Sequence, residues 1–451
     1  MRQALCLALW GALVCLASAQ QLPPRDDPLY DLLARQTSSA STLLRVPRSS
    51  DEFLFQSGTA ETAYAQWKLG QQKRLGDMPP LFIGVVDGFG YLGDSNWRTA
   101  ELSYRLVALV PLGEEALLEL VASDGRRLSG GNPSAFDTLP LARLTVQSGG
   151  ARWQIGRANL RWDGGYSGGL MVNDEVPPVP YANVQFDWRL PLIGTWRFEQ
   201  FLAQFEQDGK TTWWGARRFS RTYGTRWQVS LGEAFKALSL PDGLTSQIVP
   251  YYLYQKWLSD ARRQSGWINY FAEVGVQYQL SGAERIYLFW VIDDIRAPDF
   301  LGGRGANTPR KTALLVGVRL KPTPNTRLVL EGIRTDGTRN GGTYGASGHD
   351  PRYAYTYKAL PIGHPFGANQ LGFYGRLDWE GERWVVTLEH INRRRFHDFY
   401  PGAQGSFWNL QVGYQASPSS IVVLQYRSDD LREGTTGNPK TGWWLWFRAQ
   451  F

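Results

Sequence analysis

The sequence predicts an all-β transmembrane β-barrel of about eighteen antiparallel strands, preceded by a small N-terminal α-helical module. Three observations support this fold class: apolar and polar residues alternate from Leu81 onward, tryptophans recur near the ends of the alternating runs, and the chain stops on an alternating strand at Phe451. The composition agrees, since 14% of the 451 residues are aromatic and only 20% are charged. After the first twenty residues no apolar run is long enough for a transmembrane helix.

The first nineteen residues have the pattern of a secretory signal peptide. Arg2 gives the positive start, Ala4 to Leu16 is apolar, and Ala17-Ser18-Ala19 is a small-residue cleavage site. Both cysteines, Cys6 and Cys15, lie inside this segment. The mature chain is therefore expected to be exported and to be stabilised without disulfides.

The predicted domains are a signal peptide over residues 1–19, a helical module over residues 20–80 and a barrel over residues 81–451. The module prediction depends on helical spacing of Leu29, Leu32 and Leu33, and on a second short helix-like segment from Glu61 to Gly70.

Period-two alternation predicts the barrel strands. In the run from Gln370 to Trp379, one face carries Leu371, Phe373 and Leu377, and the other carries polar residues. A soluble β-sandwich alternates too, so the placement of tryptophan is the discriminating feature. Four tryptophans near strand ends are predicted to belong to aromatic girdles at the membrane interfaces: Trp153, Trp196, Trp379 and Trp384.

The C-terminal strand is the most specific feature. Its apolar face ends in Phe447, Ala449 and Phe451, a pattern that resembles the signature strand of bacterial outer-membrane barrels. The sequence therefore predicts the bacterial outer membrane as the location. Outer-membrane lipid and lipopolysaccharide are expected partners, and Phe451 is expected to contact the barrel-assembly machinery.

The segment from Gly156 to Pro180 is too rich in glycine and polar residues for a lipid-facing strand. It is either a surface loop or a loop folded into the lumen. In the second case Trp162, Asp163, Tyr166 and Asn173 are placed to stack on sugar rings and to hydrogen-bond their hydroxyls.

Several stretches resemble the Wzi family of capsule-assembly proteins. Arg161 to Gly164, followed by Leu170 to Asp174, is similar to the family's "GxxWDGS…LSNNARP" signature, and Phe198 to Glu206 is similar to its "FEFFLGQLE" strand. Tyr353 to Tyr355 with Pro361 to His364 is similar to its "Y-x-Y…xIGH" segment.

The resemblance implies an eighteen-stranded outer-membrane barrel with a lectin-like role, retaining capsular or related surface polysaccharide. The run Glu331 to Asp336 departs from the family's "EYADT"-like strand. An arginine run is a candidate contact for anionic sugars, and its alternative interpretation is a solvated loop or a lipopolysaccharide-phosphate contact. The predicted polysaccharide-binding residues are Trp162, Asp163, Tyr166, Asn173, Asp174, His364, Arg393, Arg394 and Arg395.

The main alternative function is a porin or solute channel. Five residues are predicted to line a polar lumen in either case: Arg319, Arg376, Arg383, Glu389 and Arg448. The formal net charge of +7 falls to +6 when the signal peptide with Arg2 is removed, and this mild excess identifies no partner.

Catalysis and metal binding receive little support from the sequence. A barrel lipid hydrolase needs a Ser–His pair, and His390 is expected to face lipid with no serine near it in sequence. No closely spaced ligand set for a metal occurs. We therefore expect no enzymatic activity, no cofactor and no nucleic-acid partner.

Overall fold

The computed structural model describes residues 79–93, 96–123, 139, 141–162, 165–173, 176–190, 194–240, 268–281, 284–293, 311–338, 341–344, 354–357, 360–395, 403–417, 420–430, 432–433 and 440–450. The predicted signal peptide and almost all of the predicted helical module lie outside these residues, as do Asp163, Asp174 and Phe451. The described part of the chain contains no helix that is long and apolar enough to cross a membrane.

Eighteen long strands in the described residues form one closed antiparallel barrel. Consecutive strands are neighbours, and β1 closes the ring by pairing with β18, where Val85 lies opposite Gln450. The strands are β1 (Leu81–Gly93), β2 (Asn96–Pro111), β3 (Ala116–Ser123), β4 (Leu141–Ser148), β5 (Ala151–Ala158), β6 (Val179–Leu190), β7 (Gly194–Gln207), β8 (Lys210–Tyr223), β9 (Trp227–Ala237), β10 (Ile268–Ser281), β11 (Glu284–Asp293), β12 (Lys311–Thr323), β13 (Thr326–Thr335), β14 (Gln370–Glu380), β15 (Trp384–Arg395), β16 (Ala403–Ser417), β17 (Ser420–Asp429) and β18 (Lys440–Gln450).

The two ends of the barrel differ in the length of their connections. At the end where β2 turns into β3 and β4 into β5, all connections have two to four residues, and we call it the short-turn end. The opposite end, which we call the long-connection end, carries the longest segments, residues 159–178, 238–267 and 336–369. Short turns face the periplasm and long loops face the exterior in outer-membrane barrels, so the long-connection end is the extracellular one.

Alternation along the strands places an apolar band on the outside of the barrel. In β12, Val316 is 42% exposed on the outer face, whereas its neighbour Leu315 is fully buried on the inner face. Arg319 lies on the inner face and is also buried. The predicted alternation is therefore confirmed, and its apolar face is the lipid-facing one.

Exposed tryptophans form two belts on the outer wall. Trp290, Trp408 and Trp443 are exposed towards the long-connection end. The belt at the short-turn end consists of Trp153, Trp188, Trp227, Trp379 and Trp384. Trp196 lies opposite Trp188 in the strand register and so in the row of this belt, but its side chain is fully buried, with the Arg221 guanidinium over its ring.

A repeated corner anchors the belt at the short-turn end. Arg383 lies in the turn before β15 and donates a hydrogen bond to the Tyr414 hydroxyl (3.2 Å), and the Trp384 ring packs on Tyr414. Arg226 makes the same contact with Tyr278 at 3.2 Å. The prediction that Arg383 lines the lumen was therefore wrong, because its turn places it outside the strand alternation.

The lipid-facing band leads to a prediction for Val316, which lies in the middle of β12. Replacing it with arginine should destabilise the protein by about 2–4 kcal/mol, since a guanidinium would then sit in hydrocarbon. Urea unfolding in phospholipid vesicles, followed by tryptophan fluorescence, measures the change. Val316→Leu is the control, and equal stability of the two variants would contradict a membrane-spanning wall.

Candidate functional site in the barrel lumen

Two segments fold into the lumen and bind each other. They are residues 159–178 between β5 and β6, and residues 336–369 between β13 and β14; we call their described parts the lumenal plug. The Tyr344 hydroxyl donates to the Leu170 carbonyl (2.6 Å) and the Tyr355 hydroxyl to the Met171 carbonyl (3.0 Å). Burial raises the pKa of both phenols, so they remain protonated donors at any physiological pH.

The plug and the inner wall share one hydrophobic core. Buried plug residues such as Leu170, Met171 and Ile362 belong to the same cluster as Phe271 and Leu315 of the wall. A water-filled channel would instead be lined by solvated polar groups. In the part of the chain that the structure describes, the lumen is therefore packed in the manner of a protein interior.

The Glu331 carboxylate of β13 is the strongest anchor of the plug. It accepts hydrogen bonds from the backbone amides of Tyr166 and Ser167, from the Ser167 hydroxyl and from the Tyr287 hydroxyl. Glu331 is 1% exposed, so it has lost its hydration. Four donors satisfy the lone pairs of both oxygens and compensate for that loss.

Aromatic contacts anchor the plug to β7 and β8. The Trp162 ring packs edge-on against Phe201 (5.6 Å between centroids), and Phe201 packs edge-on against Trp214 (5.0 Å). The Trp214 indole nitrogen then donates to the Tyr355 hydroxyl at 2.8 Å. The Trp214 indole and the Tyr355 phenol thus contribute both buried apolar area and a directional hydrogen bond.

Two basic side chains hold the plug near the long-connection end. The Lys236 ammonium of β9 donates to the carbonyls of Ala354 (2.6 Å) and Thr356 (2.8 Å). On the other side of the lumen, Arg393 of β15 donates to the Phe366 carbonyl (2.6 Å). The plug is therefore fastened to the wall from β7 round to β15.

Glycine permits the closest approaches between the plug segments. A Cβ atom at Gly363 would lie 2.6 Å from the Leu170 carbonyl oxygen and would collide with the Tyr344 ring. A Cβ atom at Gly165 would lie 2.7 Å from a Glu331 carboxylate oxygen. These positions have no room for a side chain, and at Gly165 this accounts for part of the glycine content of the predicted loop.

The structure brings Ser167 and His364 together, but with hydrogen bonds that oppose catalysis. The Phe366 amide donates to His364 Nδ1 (3.2 Å), so the ring proton is on Nε2 and points at the Ser167 oxygen (3.1 Å). The Ser167 hydroxyl gives its own hydrogen to Glu331. A hydrolase histidine must accept the serine proton, so this pair is arranged as a structural contact.

Four of the sequence-predicted binding residues lie together inside the plug. Trp162, Tyr166, Asn173 and His364 are all less than 7% exposed. The segment folded into the lumen, as one of the two predicted arrangements required. In this conformation the four side chains pack within the plug and against the wall, and they present no surface to a ligand outside.

Two of these residues retain unused hydrogen-bonding capacity. The Trp162 indole nitrogen and both polar atoms of the Asn173 side chain are buried without a hydrogen-bond partner in the described structure. Leaving such groups unsatisfied costs about 1–3 kcal/mol each, so they favour any hydroxyl-bearing molecule that reaches them.

The arginine run is part of a strand and not of a loop. β15 extends to Arg395, so consecutive side chains of the run alternate between faces. Arg393 and Arg395 pair with the inward positions Gly372 and Gln370, whereas Arg394 is exposed on the outer wall. The three arginines therefore do not act as one cluster.

The described residues contain no group of three or more His, Cys, Asp or Glu side chains that could hold a metal ion.

Sequence reasoning missed Glu331, Ser167, Tyr344 and Lys236 as plug anchors. Of these four residues, only Glu331 could have been identified from the sequence. An acidic residue at an inward position of β13 needs a hydrogen-bond partner from the lumen.

Replacing Glu331 with glutamine should loosen the plug. Glutamine keeps one acceptor oxygen and turns an NH₂ group towards two donors, at a cost of about 2–3 kcal/mol. Single-channel recording in planar bilayers should then show conductance events that the unmodified protein lacks. The control is Glu389→Gln, since the Glu389 carboxylate accepts hydrogen bonds from Tyr374 and Asn409 of the wall and, among the described residues, from none of the plug. Equal behaviour of both variants would contradict the anchoring role.

Gly363→Ala tests the packing between the two plug segments. The added methyl group must push Gly363 away from the Leu170 carbonyl, which should destabilise the plug by about 1–3 kcal/mol. Limited proteolysis of the protein in detergent should cut within residues 159–178 faster than in the unmodified protein. Gly332→Ala is the control, because nothing lies within 4 Å of its Cβ position. An unchanged cleavage rate for Gly363→Ala would show that the segments do not depend on this contact.

Comparisons with known proteins support the fold. No protein-family model matches the chain, and no curated protein matches it. Among solved structures, the chain is similar to Wzi of Escherichia coli, described as an outer-membrane protein involved in group 1 capsule assembly and as a carbohydrate-binding β-barrel. The identity is 14%, the alignment covers 96% of this chain and 99% of Wzi, and the TM-score is 0.58.

Two outer-membrane proteins of Pseudomonas aeruginosa, OccK11 (OpdR) and OpdK, are more distant. Each is 10% identical with a TM-score of 0.49, and the alignments cover 82% of this chain and 96% and 98% of theirs. At these identities the likeness to Wzi concerns the fold. The predicted fold class is confirmed: the chain is an eighteen-stranded antiparallel barrel of the kind found in the bacterial outer membrane, and it resembles Wzi in architecture.

Proposed function

We propose that this protein binds surface polysaccharide at the long-connection end of the barrel and retains it at the outer membrane. The observation that carries the proposal is the lumenal plug, whose residues share one hydrophobic core with the wall. A barrel filled in this way offers a rigid floor beneath its external connections. Such a floor suits retention of a polymer better than passage of a solute.

The fold likeness supports the same function. Wzi is described as a carbohydrate-binding barrel, and the present chain shares its architecture over 96% of its length. The stretches that resemble Wzi-family motifs fall largely in the plug, including the segments around Trp162 and His364. We infer that these similar stretches close the lumen in the same way in both proteins, beneath a bound polysaccharide.

The chemistry of the rim suits an anionic polymer. Arg393 and Arg395 lie on the inner face of β15 at the extracellular end, and guanidinium groups bind uronic carboxylates in bidentate fashion. Arg395 is the last residue of β15 and lies nearer the exterior than Arg393, so it is the better candidate for direct contact. Asp163 and Asp174, which follow Trp162 and Asn173 in the sequence, remain predicted hydrogen-bonding partners for sugar hydroxyls.

The porin alternative makes the opposite prediction for the lumen. A channel needs a continuous water-filled path, whereas the plug is fixed to the wall by Glu331, Lys236 and Arg393. Polar residues on the inner wall, such as Arg319 and Arg376, are compatible with both a porin and a plugged barrel. Conductance therefore distinguishes the two functions more directly than the charge of the wall.

The test combines conductance with polysaccharide binding. The purified protein should be electrically silent in a planar bilayer and should bind polysaccharide extracted from the surface of the source bacterium, with no binding to a neutral dextran. Arg395→Gln should weaken that binding severalfold, because it removes a charge at the inner rim. The control Arg383→Gln removes an exposed arginine at the opposite end of the barrel.

Each result has a definite meaning. Steady, large conductance of the unmodified protein would overturn the proposal and favour a channel. Silence without polysaccharide binding would overturn retention while leaving the plug intact. Equal binding by the Arg395 and Arg383 variants would show that the contact lies elsewhere on the extracellular end.

A further inference from the structure

Two arginines flank a leucine on the outer wall of the barrel. In the strand register, Arg334 of β13 lies opposite Leu371 of β14, and Leu371 lies opposite Arg394 of β15. Neighbouring strands are about 4.8 Å apart, so the Cα atoms of the two arginines are separated by about 10 Å. Their side chains rise from one row on the lipid-facing side.

This row lies just outside the hydrocarbon region. On β15, His390 lies opposite Trp408 and stacks on it at 3.8 Å, which places His390 in the extracellular tryptophan belt. Arg394 is four residues further towards the exterior, about 13 Å along the strand and less along the membrane normal because of strand tilt. The two arginines therefore lie at the level of the outer-leaflet headgroups.

Both guanidinium groups are accessible from the membrane side. Arg394 is exposed and contacts no acidic side chain in the described part of the chain. Arg334 binds the Asp336 carboxylate at 2.9 Å, yet its side chain remains 48% exposed. Its guanidinium meets Asp336 through Nε and one Nη, and the exposed part of the side chain is reachable from the membrane side.

The wall below the arginines is shaped for an acyl chain. Gly332 faces outward directly below Arg334, and nothing lies within 4 Å of its Cβ position, so it forms a gap in the side-chain surface. The Phe373 ring, 42% exposed, stands opposite Gly332 and borders this gap. A hydrocarbon chain lying along the gap would contact Phe373 and Leu371 while its headgroup reached the arginines.

We propose that Arg334 and Arg394 form a binding site for a phosphorylated, acylated sugar of the outer leaflet, the lipid A part of lipopolysaccharide. Arginine forks bind phosphate through two parallel hydrogen bonds, and a pair of them about 10 Å apart spans a phosphorylated sugar. A free anion in solution would gain nothing from the apolar gap, so the site selects a lipid. It faces away from the lumen and is independent of the proposed polysaccharide site.

Native mass spectrometry of the detergent-solubilised full chain tests the site with bisphosphorylated lipid A as the probe. The unmodified protein should retain about one lipid A molecule preferentially, and the double variant Arg334→Gln, Arg394→Gln should bind it at least about tenfold more weakly. Arg383→Gln, which removes an exposed arginine at the short-turn end, should bind as the unmodified protein does. Arg394→Gln alone leaves the Arg334–Asp336 pair intact and should show an intermediate loss.

Two further probes separate the possible ligand sources. Dephosphorylated lipid A should bind about as weakly to the unmodified protein as intact lipid A binds to the double variant, because the arginines then have no anion. Phosphatidylglycerol should bind more weakly than lipid A, since its single phosphate meets one arginine. Equal binding of lipid A to the double variant and to Arg383→Gln would overturn the proposal, and so would a preference for phosphatidylglycerol.

Discussion

The need to pair every backbone amide and carbonyl inside hydrocarbon determines this structure. A β-sheet meets that need in a membrane only when it has no free edge, and here the pairing of β1 with β18 removes the last one. Closure then gives every strand a lipid face and a lumen face. Leu315 and Val316, adjacent in β12, are 0% and 42% exposed for this reason alone. The contents of the lumen follow from what the inward residues require.

Those inward residues include a carboxylate that needs donors from the lumen. Glu331 is buried on β13, and a buried charge is tolerated only with full hydrogen bonding. The plug supplies three of its four bonds through Tyr166 and Ser167, while Tyr287 of the wall supplies the fourth. The same contact positions the tight backbone at Gly165 and the Ser167–His364 pair. One wall residue thus couples the fold of the plug to the fold of the barrel.

Features encoded locally were predictable, and contacts between distant segments were not. Alternation fixes the face of each strand residue, so the outward leucines and inward arginines followed from the sequence. The bond between Ser167 and Glu331 joins residues 164 apart, and no local pattern predicts it. The full burial of Trp196 has a similar origin, since periodicity gives the face of a residue but not the side chain, here Arg221, that packs over it.

The arginine run illustrates how strand geometry divides one sequence feature between two environments. Arg393 turns inward and binds the plug through the Phe366 carbonyl, whereas Arg394 turns outward at the level of the lipid headgroups. Arg395 turns inward again, towards the external mouth. A charge run in a loop would offer its three groups to one ligand. In a strand at the membrane surface, the same three groups point alternately to the lumen, the lipid and the lumen again, so each can be changed separately to test one role.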